Sequence, residues 1–121
     1  FQPLRAFDSR TAGGPIATGT TVTLQIAPNG SLAGVPGIPA TAIGIAGNLT
    51  SVNPTASGYL TLFPGTAPRP STSSLNFVAG GPPTPNGFIV GLGSDGTLKV
   101  YVFGPGGNSV DVVVDITAYF Q

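Results

Sequence analysis

The chain has 121 residues and 12.0 kDa, with four basic and four acidic side chains and no Cys, His, Glu, Met or Trp. Disulfides, thiolate or imidazole metal sites and any His-dependent nucleophile are therefore excluded, and four Asp are the only side-chain carboxylates. Balanced charge leaves no footprint for nucleic acid, and no run approaches the roughly 18 apolar residues of a membrane-inserting helix.

Charged residues are 7% of the chain, against about 25% in an ordinary soluble domain. Thr, Ser, Asn and Gly must wet such a surface, or neighbouring copies or glycans must cover it. The 19 Gly and 13 Pro punctuate alternating apolar runs instead of forming low-complexity tracts, so order is expected over disorder.

In chain order, Phe1–Arg10 reads as an extended opening segment, with Leu4, Ala6 and Asp8 on one side and Arg5, Phe7 and Ser9 on the other. Thr11–Gly19 is a turn. Thr20–Ile26 alternates, pointing Val22, Leu24 and Ile26 inward. Ala27–Pro39 is a long loop anchored at Leu32 or Val35. Ala40–Val52 is a strand with Ile43, Ile45 and Leu49 on one face, and Gly44 and Ala46 on the other permit close approach.

Asn53-Pro54 turns the chain into a short strand, Gly58–Phe63, and Ser73–Val78 forms another. Gly80–Pro85 is too rich in Pro for a central strand. Gly87–Leu92 and Thr97–Phe103 flank Gly93-Ser-Asp-Gly96, a hairpin signal. The last run, Ser109–Phe120, sets Val110, Val112, Val114, Ile116, Ala118 and Phe120 on one face, with Asp111, Val113, Asp115, Thr117 and Tyr119 on the other. Seven to nine short strands spaced by turns predict a single all-β module over residues 1–121, an antiparallel sandwich or jelly roll.

Arg5-x-x-Asp8-Ser9-Arg10, Asn53–Pro64 (NPTASGYLTLFP), Arg69-Pro70, Ser74–Phe77 (SLNF), Pro85-Asn86 and Val112–Phe120 (VVVDITAYF) together resemble a secreted bacterial all-β surface repeat module. Such modules belong to actinobacterial and Chloroflexota-type lineages. The resemblance spans nearly the whole chain and is most specific from Asn53 to Phe120. It implies an extracellular, cell-surface setting and no catalytic role, and it supplies no binding residues. The chain departs from the pattern at Ala118, where Gly is usual, and in the Pro-rich Gly80–Pro85.

Asp111 and Asp115 share a strand face about 13 Å apart, too far for the paired carboxylates of glycoside hydrolysis at about 5–9.5 Å. Each is expected to pair with an Arg drawn from Arg5, Arg10 and Arg69, while Asp8 clasps Arg5 or Arg10. Asp95 with Ser94 and Gly93 reads as a turn in preference to a calcium loop, and no cofactor is expected. Asn29-Gly-Ser and Asn48-Leu-Thr fit the glycosylation sequon, the second less accessible in a strand. Tyr59, Tyr101, Tyr119, Phe63 and Phe103 are core aromatics or a platform for sugar rings. Tyr101 and Phe103 leave one strand apolar on both faces, which a second layer or another molecule must cover.

The function expected is a non-enzymatic extracellular module that self-associates, as a homo-oligomer or as a filament or surface polymer. Strand edges or an exchanged opening segment would make the contact, with Phe1, Leu4, Phe7, Tyr101 and Phe103 as its residues. The alternative is a carbohydrate- or cell-wall-binding module using exposed Tyr and Asn.

Overall fold

In a computed structural model describing residues 1–121, the organising element is the carboxy-terminal strand. Nine strands form: β1 (Leu4–Asp8), β2 (Ile16–Ala17), β3 (Thr21–Gln25), β4 (Gly44–Val52), β5 (Gly58–Pro64), β6 (Leu75–Phe77), β7 (Thr84–Gly91), β8 (Thr97–Phe103) and β9 (Ser109–Phe120). β9 is long enough to pair with β1 at Val113–Ile116, with β2 at Ser109–Val110, and with β4 along its other edge. The first sheet runs β1/β2–β9–β4–β7 and the second β3–β8–β5–β6, every pairing antiparallel.

The core lies between the two sheets. Val110, Val112, Val114 and Ile116 of β9, with Ile45 and Leu49 of β4, meet Leu98, Val100 and Val102 of β8 and Leu60 and Leu62 of β5. Nearly all are β-branched or leucine at every second position, the pattern of a strand that buries one face. In the long Ala27–Pro39 loop the anchor is Ile38, with Ala42 just beyond it. Val35 is half-buried against the core and Leu32 is exposed.

Two β-bulges break the expected alternation. In β1, Arg5 opposes Asp115 and Phe7 opposes Val114, leaving Ala6 as an extra residue. Leu4 and Phe7 therefore pack on the core, while Arg5 and Asp8 turn outward together. In β9, Ala118 opposes Ala46 but Ile116 opposes Gly47, so Thr117 is extra and its hydroxyl donates to the Ala46 carbonyl at 3.3 Å. Beyond it Tyr119 turns to the core, and Ala118 and Phe120 turn out, contrary to strict alternation.

The expected hairpin is corrected. The Gly93–Gly96 turn forms, with the Gly96 amide donating to the Gly93 carbonyl at 2.8 Å, but β7 pairs with β4 and β8 with β3 and β5. The strands on either side of the turn belong to different sheets. Leu98, Val100 and Val102 need the middle of a sheet, whereas β7, with Pro85, Gly87 and Gly91, suits only an edge. Ile43 is also corrected: it precedes β4 and is 66% exposed.

Candidate functional site

Five of the eight charged residues gather on the β1/β9 side of the first sheet. Arg5 Nε donates to Asp115 Oδ1 at 2.9 Å and its Nη2 to Oδ2 at 3.3 Å, while its Nη1 reaches Asp8 at 3.3 Å. Arg10 closes on Asp8 with two further bonds of 3.0 and 2.9 Å. The Arg10 hydrogen bond holds the Asp8 carboxyl below its usual range, and Asp115 raises Arg5 in the same way.

Two of the expected ion pairs are corrected. Asp111 is buried without an arginine; it accepts the Ser9 hydroxyl at 2.8 Å, and that hydroxyl accepts the Val112 amide. Ser9 thus bridges the gap along β9 between β1 and β2. Arg69 makes no ion pair. Its guanidinium carbon lies 3.7 Å from the Tyr101 ring centroid, a cation–π contact.

That contact identifies the cover on the outer face of the second sheet. Thr61 and Phe63 point outward from β5 yet are buried, and the segment after Pro64 folds back over this face. Thr61 donates to the Thr72 carbonyl at 2.8 Å, and Arg69 of the same segment rests on Tyr101. The chain therefore supplies its own layer over Tyr101. Phe103 stays 47% exposed at the end of β8, stacked on Tyr59 with centroids 4.6 Å apart.

Of the opening segment, Leu4 and Phe7 are packed in their own chain, and Phe1 is 63% exposed with its ring edge-on to Tyr119 at 5.5 Å. Asn29 is exposed beside its bridge to Leu32. Asn48, read as less accessible, is exposed on the outer face because its β7 neighbour is the bare Gly87.

The feature that sequence reasoning missed is the free edge of β7. Leu92 donates to the Ile43 carbonyl at 2.8 Å and the Val90 carbonyl lies against Gly44, so residues of that parity face β4. Pro85, Gly87 and Ile89 consequently turn their backbone polar groups outward. At eight residues β7 is longer than the other edge strands: β1 and β3 have five, β6 three and β2 two. No charged residue lies in β7 or in β4 beside it. Ile89 is 79% exposed, and the register aligns it with Ala46 and Ala118, next to Phe120 over Gly44. The signal was present in Thr84–Gly91, eight residues with no charge and only three large apolar side chains.

No protein-family model matches the chain, and no curated protein matches it in sequence.

Proposed function

We propose that the protein is a non-enzymatic extracellular structural module that self-associates through strand edges, with β7 as the pairing edge, into a filament or surface polymer. The carrying observation is an uncharged eight-residue edge topped by exposed Ile89. Natural sheets guard such edges with Lys, bulges or a covering segment; β7 has only Pro85 near its start. Pairing β7 with a different edge of a second copy is heterologous, a contact that need not close and extends into a filament wherever its rotation does not complete a ring. Edge pairing is favoured over exchange of Phe1–Phe7 because Leu4 and Phe7 are already seated in their own core.

The test is the mass of the protein in solution as its concentration rises, with negative-stain microscopy of the same samples. Ile89→Lys and Gly87→Pro should abolish growth while leaving the β-sheet circular dichroism intact, since the Gly87 amide takes no part in the β4 ladder. A wild type that stays monomeric at millimolar concentration, or variants that grow as it does, would sink the reading.

A second reading, attachment to cell-wall glycan, is favoured by the Phe103–Tyr59 stack, which leaves an aromatic ledge at one end of β8. Retention of a monomeric protein on peptidoglycan, lost in Phe103→Ala, would support it over assembly.

A further inference from the structure

At the opposite end of β8 from Phe103, the Gly93–Gly96 turn and the segment from Ala40 to Ile43 enclose a cleft of about 410 Å³, closed on a third side by Pro28 and Asn29. That volume falls within the range of small-molecule sites, about 300–1,000 Å³. Its lining has two characters. Ala40, Ala42, Ile43 and Leu92 form an apolar wall, with Ile43 66% exposed. Asn29, Ser94 and Asp95 supply polar groups that the fold leaves uncommitted.

Asp95 spends Oδ1 on the Thr97 amide at 3.1 Å and on the Thr97 hydroxyl, leaving Oδ2 without a protein partner. The Ser94 amide is taken up by Thr66, but the Ser94 hydroxyl is not used, and neither is the Asn29 side-chain amide. Thr41, also in the lining, is engaged with Gln121. One carboxylate with no cation in the lining disfavours an anionic ligand. A calcium ion wants six to eight oxygens, and no cluster of three acidic, His or Cys residues exists here.

We propose that this cleft binds a neutral monosaccharide-sized sugar, its C–H face against Ile43 and Leu92 and neighbouring hydroxyls on Asp95 Oδ2 and the Ser94 hydroxyl. A pyranose has this two-sided chemistry, and a carboxylate accepting from a hydroxyl makes the stronger, charge-assisted kind of hydrogen bond. The site is independent of β7 pairing.

The experiment is an amide-resolved NMR titration of the whole chain with glucose, galactose and mannose in turn. At least one sugar should give saturable shifts confined to residues 28–31, 40–43 and 92–96. Asp95→Asn keeps an acceptor for Thr97 and should weaken binding about tenfold or more, the loss of one charged hydrogen bond. Ser94→Ala leaves the turn untouched and should weaken it less, while Phe103→Ala should not change it. The proposal is overturned by unsaturable shifts with all three sugars, by shifts centred on Tyr59 and Phe103, or by unchanged affinity in Asp95→Asn. Saturation by calcium chloride and by none of the sugars overturns it too.

Discussion

Arg5 and Asp8, three positions apart in one strand, lie 3.3 Å from each other on one face of the sheet. Strict alternation would put them on opposite faces; the extra residue at Ala6 brings them together. Deleting Ala6 should restore alternation and leave Leu4, Arg5, Phe7 and Asp8 on the faces they now occupy, since Arg5 already opposes Asp115 and Phe7 opposes Val114. The expected loss is under about 1 kcal/mol, that of one partly buried methyl group, measured by urea denaturation against wild type.

Acid should unfold the protein through Asp8 and Asp95. Both carboxyls sit below the ordinary 3.8, Asp8 through the Arg10 hydrogen bond and Asp95 through that of Thr97. As pH falls the unfolded chain takes up these protons first, so the stabilisation is present above that value and lost below it. With no His in the chain, Tm should be nearly flat from about pH 8 to 5 and drop below about pH 4. Asp8→Asn should lower Tm at neutral pH and make the acid slope shallower, as a pH series of thermal melts would record.

Ser51 points into the core and its hydroxyl has no hydrogen-bond partner. Ser51→Ala removes a buried unsatisfied group and should stabilise the fold by about 0.5–1 kcal/mol, raising Tm by roughly 2–5 °C. An unchanged or lower Tm would mean that the hydroxyl is satisfied in solution.

Gly47 faces the bulge in β9, and a Cβ there would collide with the Asp115 carbonyl. Gly47→Ala should cost at least about 2 kcal/mol, since backbone must move. Gly87→Ala, whose Cβ would come no nearer than 3.8 Å to the Gly47 carbonyl, should stay within about 0.5 kcal/mol. Chemical denaturation of the pair tests the contrast.

The segment over the second sheet should owe its hold to Phe63 more than to Arg69. Phe63→Ala opens a cavity under that segment and should cost about 3 kcal/mol or more. Arg69→Ala removes one exposed cation–π contact and should cost less than about 1 kcal/mol. Hydrogen exchange at residues 66–74 would rise sharply in the first variant and little in the second.

Most strands were legible because β-branched residues recur at every second position between Gly- and Pro-rich turns. β9 begins and ends where Ser109–Phe120 was read, and the inward faces of β3 and β8 follow the alternation. The salt bridges were half legible. Charge alone pairs four Asp with three Arg, but only the bulge at Ala6 gives Arg5 both Asp8 and Asp115. Asp111 went to Ser9, a hydroxyl that no charge count would select.

Composition and period two, read by themselves, determined an all-β chain, most of its strand positions and the inward faces of β3, β8 and β9 through Ile116. The folded molecule alone decided that β7 and β8 part into different sheets, that Thr117 sends Tyr119 inward and Phe120 outward, and that the segment carrying Arg69 roofs Tyr101. Alternation is a property of neighbours two residues apart. Sheet membership, bulges and cover depend on which distant segments compete for the same backbone groups and the same buried space, so they exist only once those segments meet.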